Sequence, residues 1–188
     1  MAGIIDSLRG DHSRLTRLLD ALERQIGAFE DGGLLDFAIV DGILHYCRSY
    51  PDRHHHPCED LVFDSLGRRN PQAAAAVGDL RGEHAKIAAM TAAFAESLDA
   101  VEQEVAMQRQ TFLEAAKAFL AAYRNHIKME EKLFFPAAER HLTAEDWRTI
   151  AGQLEPRTDP LFERREDARF DALFKEIVDW DSQLPRGA

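Results

Sequence analysis

The 188-residue chain has little cysteine and no block of basic residues. Its two cysteines, Cys47 and Cys58, are too few for a disulfide scaffold, and no C-x2-C pair suggests a zinc knuckle. The formal net charge is -10, and no basic cluster offsets it. This charge balance argues against a nucleic-acid partner and against docking on an anionic membrane surface.

Long apolar runs and a targeting segment are also missing. No apolar run approaches the length of a membrane span. Residues 1–6 lack the basic and long apolar regions of a signal peptide. We therefore expect a cytoplasmic protein with no membrane contact, and the chain length favours one domain with a substantial core.

The dominant pattern is helical. Apolar residues recur at spacings of three and four in four segments, at about 3–30, 36–66, 71–100 and 105–140. No segment shows the alternation typical of a strand. Four long helices joined by short turns predict an all-α, up-down-up-down four-helix bundle. In the second segment Pro51 and Pro57 each remove a backbone donor, so we expect a kink or a break there.

The end of the chain predicts additional helices. Thr143 and Asp146 resemble a capping box that opens a short fifth helix, and a last helix is expected at about 166–180. We therefore divide the chain into a four-helix bundle, 1–141, and a C-terminal helical extension, 142–188, packed on or beside the bundle.

Polar residues occupy positions on the apolar stripes where core residues belong. The second and fourth segments each carry an H-x3-E pair, His55 with Glu59 and His126 with Glu130. On a helix such residues share one face about 6 Å apart along the axis, so each pair can present an imidazole and a carboxylate to one point. His12 and His84 lie in phase on the other two stripes. Without cations, six such groups in one interior would be unsatisfied or mutually repulsive.

Simpler interpretations exist for each residue alone. A single core histidine is more often hydrogen-bonded than metal-bound, and one H-x3-E pair can be a surface pair. The combination on four stripes favours a transition-metal cage of nitrogen and oxygen ligands. His54 and His56 should point about 100° to either side of His55, which predicts a supporting or surface role.

The order of these residues, with "YPDRHHHPCEDLVF" and "HIKMEEKLFFP" around the pairs, resembles the hemerythrin-like (HHE cation-binding) family over about residues 3–140. The resemblance implies a four-helix bundle holding a di-iron centre bridged by two carboxylates and an oxo or hydroxo group. Carried over to this chain, the four histidines become terminal ligands and the two glutamates become bridges. His12 would pair with His55 on one iron, and His84 with His126 on the other.

Two departures separate the chain from the oxygen-carrying hemerythrins. Those proteins have another histidine one turn after the third-helix histidine, where this chain has Ala88. They also have an aspartate five residues after the fourth-helix histidine, whereas this chain has Glu130 four residues after it. One iron would then lose a nitrogen ligand, and open positions favour exogenous ligands over reversible oxygen transport. The Glu-x-x-His pairs of ferritin-like di-iron sites do not occur in the sequence.

Three functions remain open at this point. The first is a di-iron protein that binds or senses O2, NO or peroxide, or handles iron. The second is a di-iron oxidoreductase that reduces NO or peroxide or repairs iron centres, with Tyr123 near the metals. The third is a structural or regulatory module holding zinc or another non-redox divalent metal. The acidic surface and the C-terminal helices would suit a homodimer interface, although no residue identifies one.

Overall fold

The computed structural model describes residues 3–102, 109–154, 168 and 171–179, and every regular element within them is helical. The bounds are α1 Gly3–Glu30, α2 Phe37–Tyr50, α3 His56–Arg69, α4 Pro71–Val77, α5 Leu80–Glu102, α6 Arg109–Met129, α7 Phe135–His141 and α8 Ala144–Leu154. Residues 171–179 form α9. The all-α prediction is confirmed. Of the last helix expected at about 166–180, residues 166, 167, 169, 170 and 180 lie outside the described residues.

Two pairs of these helices are continuous. A π-helical turn, Pro51–His55, joins α2 to α3, and a second one, Glu130–Phe134, joins α6 to α7. With α1 and α5 they make four long helices, in which α1 and α5 each pack against both continuous helices. This is the predicted four-helix bundle. None of the helices described is long and apolar enough to cross a membrane.

A proline lies two residues after each π turn and accounts for the wider helical turn. In the first turn the N–H of His56 donates to the carbonyl of Pro51, five residues back, and Pro57 comes next. The second π turn, Glu130–Phe134, stands in the same relation to Pro136. Proline has no N–H to donate, and its ring crowds the carbonyl four residues earlier, so a wider turn relieves the clash. The disturbance expected at Pro51 and Pro57 is therefore a π turn within an unbroken helix.

The prediction of one helix over 71–100 was wrong. Helix α4 ends at Gly78, whose φ of 99° lies in the left-handed region that favours glycine. Asp79 follows and accepts a hydrogen bond from the N–H of Gly82 at 3.0 Å, at the start of α5. Such a side-chain acceptor satisfies a free N–H of the first turn. The apolar spacing continues through this turn and conceals it.

The apolar interior consists of two clusters. The first contains Leu15, Leu22, Cys47, Ile87, Phe94, Phe119 and Tyr123 among others. The second contains Leu8, Val62, Leu66, Leu80, Phe134, Phe135 and Trp147 among others. On each long helix, the histidines and glutamates of the predicted site lie between a residue of one cluster and a residue of the other. The polar residues therefore form one layer across the bundle, which we call the polar layer.

Helices α8 and α9 contact the apolar clusters of the long helices. The backbone N–H of Thr143 donates to Asp146 Oδ2 at 2.8 Å, and the N–H of Asp146 donates back to Thr143 Oγ1 at 3.3 Å, which confirms the capping box at α8. In α9, Ile177 is buried in the first apolar cluster. A Cβ atom on Gly42 of α2 would lie 3.5 Å from Ile177 Cδ1, so the two helices are in close contact.

Candidate metal centre

The structure brings all six predicted residues together in the polar layer. Their side chains, together with that of His56, form two overlapping groups that share Glu59: His12, His55, Glu59 and Glu130, which we call the first cluster, and His56, Glu59, His84 and His126, the second cluster. In each cluster one possible ligand atom per residue lies within 4.8 Å of all the others. Every member is buried.

Both H-x3-E pairs face the interior. His55 Nε2 lies 3.2 Å from Glu59 Oε1, and His126 Nε2 lies 3.1 Å from Glu130 Oε1. The first pair spans the end of one π turn, and the second pair ends where the other π turn begins. The i,i+4 spacing therefore keeps its geometry despite Pro57.

Each carboxylate turns one oxygen toward each cluster. Glu59 Oε1 faces His55 of the first cluster, and its Oε2 lies 3.3 Å from Nε2 of His84 in the second. Glu130 repeats this arrangement, with Oε2 at 3.2 Å from His12 Nε2 and Oε1 facing His126. Two carboxylates with their oxygens divided in this way are placed to bridge two cations.

The layer contains buried polar atoms with no hydrogen-bond partner among the described residues. These atoms are both carboxylate oxygens of Glu59, Oε2 of Glu130, and both ring nitrogens of His126. His12 Nε2 and His55 Nε2 lie 3.1 Å apart. A buried polar atom without a partner costs about 1–3 kcal/mol, and more where the group is charged. A metal ion in each cluster would accept lone pairs from the glutamate oxygens and from one nitrogen of His126, so the donor set fits metal.

Four more carboxylates hold the rings from outside. A carboxylate only accepts, so each ring nitrogen beside one carries the proton. His12 Nδ1 donates to Glu131 at 2.8 Å, and His55 Nδ1 donates to Asp11 at 3.2 Å. His56 Nδ1 likewise donates to Asp52 at 3.0 Å, whereas His84 Nδ1 lies 3.4 Å from Asp60 Oδ1 without a hydrogen bond between them. A ring held at Nδ1 turns its Nε2 toward the layer, where a metal ion can bind once any proton there is displaced, as in carboxylate–histidine–metal arrangements.

The charges of the layer shift its pKa values in opposite directions. Burial disfavours the charged form of His55, but Glu59 and Asp11 outweigh it and raise the pKa of His55 to about 10. Glu130 and Glu59 likewise overcome burial and raise the pKa of His84 to about 9. Burial and the neighbouring histidines lower the pKa of His56 to about 2. The metal-free layer therefore holds protons that an incoming cation must displace.

His56 was expected in a supporting or surface position, and the structure contradicts the surface position. Its side chain is 6% exposed and belongs to the second cluster. The expectation considered only that His56 points away from His55, and not that it could face a second group of residues on the other side of the helix's inner face. The outer carboxylates were also missed, although Asp11, Asp60 and Glu131 each adjoin a predicted ligand in sequence. His45 is exposed and lies outside both clusters.

Comparison with known proteins agrees with this geometry. The model of the hemerythrin HHE cation binding domain matches residues 3–138, which span all four long helices of the bundle and both clusters. No curated protein and no solved structure matches the chain. On the strength of this match, the chain belongs to the hemerythrin HHE cation-binding domain family.

Proposed function

We propose that the polar layer holds a pair of iron ions, bridged by Glu59 and Glu130, and that the protein binds or senses O2, NO or peroxide in the cytoplasm. The observation that carries the proposal is the division of the carboxylate oxygens: each glutamate faces imidazoles of both clusters. His12 and His55 would be terminal ligands of one ion. His84 and His126 would be terminal ligands of the other.

The chain prepares the site for such a pair in three ways. The outer carboxylates orient the rings of His12 and His55, so these two rings already turn Nε2 toward the layer before an ion enters. Phe135 lies flat on the His12 ring, with centroids 5.1 Å apart, and shields it from water. Glu59 and Glu130 are fully buried, so their charge is screened little by solvent. Bound iron would supply reversible redox chemistry and affinity for small oxygen and nitrogen ligands.

The proposal is tested by elemental analysis and absorption spectra of protein purified without added metal. About two irons per chain, with absorption bands that shift reversibly on adding O2 or NO, would support it. The matched pair of variants is Glu59→Ala, which removes a bridge, and His45→Ala, which removes an exposed histidine of the same continuous helix. Only Glu59→Ala should lose iron. Zinc in place of iron, or iron bands that respond to no gas or peroxide, would refute the redox function and favour a structural metal.

An oxidoreductase is the second candidate, and Tyr123 favours it. Its hydroxyl is buried without a hydrogen-bond partner among the described residues, and its ring centroid lies 6.4 Å from that of His126. Burial raises the pKa of Tyr123 well above 10, so the phenol keeps a proton beside the layer. Catalytic turnover of peroxide or NO that falls in Tyr123→Phe, with iron content unchanged, would establish this activity. A single stoichiometric reaction would exclude it.

A further inference from the structure

We infer that His56 is a metal ligand through Nε2, and that it gives the second cluster a third imidazole. The inference rests on the two-metal function proposed above and adds a residue that the resemblance does not supply. It changes the expected coordination of the second ion from two imidazoles to three.

The position of the ring is the first argument. His56 lies flat on His84, with centroids 4.0 Å apart and planes 15° apart. The ring of His126 is 6.0 Å away and nearly perpendicular to that of His56. One ligand atom of His56 lies within 4.8 Å of ligand atoms of Glu59, His84 and His126. Ligand atoms of three imidazoles and a carboxylate thus lie within 4.8 Å of one another. Because imidazole binds an ion in its ring plane, one of the two stacked rings must tilt when both bind the same ion.

The hydrogen bond of the ring is the second argument. Asp52 lies one turn earlier and takes the proton of His56 Nδ1 at 3.0 Å. This leaves Nε2 as the atom with a free lone pair. His12 and His55, in the first cluster, have the same arrangement with Glu131 and Asp11.

The backbone explains how two adjacent histidines reach one layer. Successive helical residues point about 100° apart, so they can face two points on either side of the helix's inner face. His55, the last residue of the first π turn, faces the first cluster, and His56, the first residue of α3, faces the second. His56 points away from the residues that His55 faces, and this direction brings it to the second cluster.

A surface cleft of about 280 Å³ adjoins this ring. His56, His84 and Ala88 line it together. Ala88 occupies the position at which the oxygen-carrying hemerythrins have another histidine, so one nitrogen ligand is missing there. His56 offers a nitrogen to the same cleft from α3. The two ions would then differ: the first cluster has two imidazoles and keeps more positions for an exogenous ligand.

The test is a titration of metal-free protein with Zn²⁺ against a competing chelator, for wild type, His56→Ala, Asp52→Asn and His45→Ala. In wild type we expect two ions. Asp52→Asn should weaken one of them by about 10–100-fold, as loss of an outer partner does, and His56→Ala should weaken the same ion further. His45→Ala should bind as wild type. Because the cleft adjoins the ring, added imidazole should restore part of the binding in His56→Ala.

Two results would overturn the assignment while the proposed function stands. One is wild-type affinity for both ions in His56→Ala, and the other is a loss that imidazole does not restore. A wild-type chain that binds fewer than two ions would refute the two-metal function and this inference with it. If His56→Ala does not fold, ¹⁵N spectra of Zn²⁺-loaded wild type decide: a metal-shifted Nε2 of His56 supports ligation, and an unshifted Nε2 excludes it.

Discussion

Phe135 offers a direct test of how the apolar interior supports the polar layer. Its side chain is fully buried, stacks on His12 with planes 15° apart, and touches Phe134 in the second apolar cluster. Phe135→Ala should cost about 3–5 kcal/mol of unfolding free energy through lost burial and the cavity left behind. For a chain of this size that corresponds to a fall in Tm of roughly 6–20 °C. The unsupported His12 ring should also bind the first ion less tightly.

The matched control is Phe94→Ala, in the first apolar cluster. Phe94 is equally buried and packs against Phe112 and Phe119, with no imidazole in contact. It lies ten residues, or about 15 Å of helix, from His84. The two variants should therefore lose similar unfolding free energy.

Urea unfolding of the metal-free variants gives the free energies, and Zn²⁺ titration of the folded proteins gives the affinities. We expect only Phe135→Ala to bind one ion more weakly than wild type. Equal affinity in the two variants, with equal loss of stability, would show that the Phe135 stack does not position His12. Equal weakening in both would show that metal binding depends on stability in general, and would also refute the reasoning.

Three further predictions follow from other contacts. The pKa of Asp146 lies below its usual value, chiefly because of its hydrogen bond with Arg69, so the stability that Asp146 contributes should be present above about pH 4 and lost as the pH falls through the lowered pKa. Because solvent screens this surface pair, Asp146→Asn should cost less than about 1 kcal/mol at neutral pH in urea unfolding and should flatten the acid dependence. Gly42→Ala should be tolerated because the new Cβ makes ordinary contacts, whereas Gly42→Leu should displace Ile177 at a cost of about 1–3 kcal/mol of unfolding free energy. Hydrogen exchange of residues 171–179 should be faster in Gly42→Leu than in wild type, and equal exchange would mean that α9 is not docked there. Removing the metal with a chelator should lower the Tm by roughly 5–10 °C per ion if the free ion had been at 100 times its Kd, and an unchanged Tm in calorimetry would mean that no metal bridges the layer.

The sequence predicts the elements whose signal is periodic. His12, His84 and the two H-x3-E pairs stand in phase with apolar stripes, and the structure gathers all six in one layer. A stripe records which face of a helix is buried, so residues that interrupt it can be located before the fold is known. The apolar pattern does not indicate how many metal ions bind or which element they are.

The features that escaped prediction are those in which the backbone departs from regular α-helix. The two π turns leave the apolar pattern nearly intact, and only the prolines after them, Pro57 and Pro136, indicate where the helix must widen. The break at Gly78 is concealed in the same way, because apolar residues continue on both sides. The burial of His56 was missed because the direction of a side chain on one helix does not show which residues of the neighbouring helices surround it.

The polar layer also affects how the bundle unfolds. It separates two apolar clusters that share no described residue, so in the metal-free protein the ends of the bundle are joined by the backbone of the four long helices and by the side-chain contacts of the layer. Each end could then open with its own free energy, as partly independent units do. A bridged pair of cations would tie all four helices at their midpoints and link the opening of one end to that of the other. Metal loading would thus determine whether the protein unfolds as one cooperative unit or two.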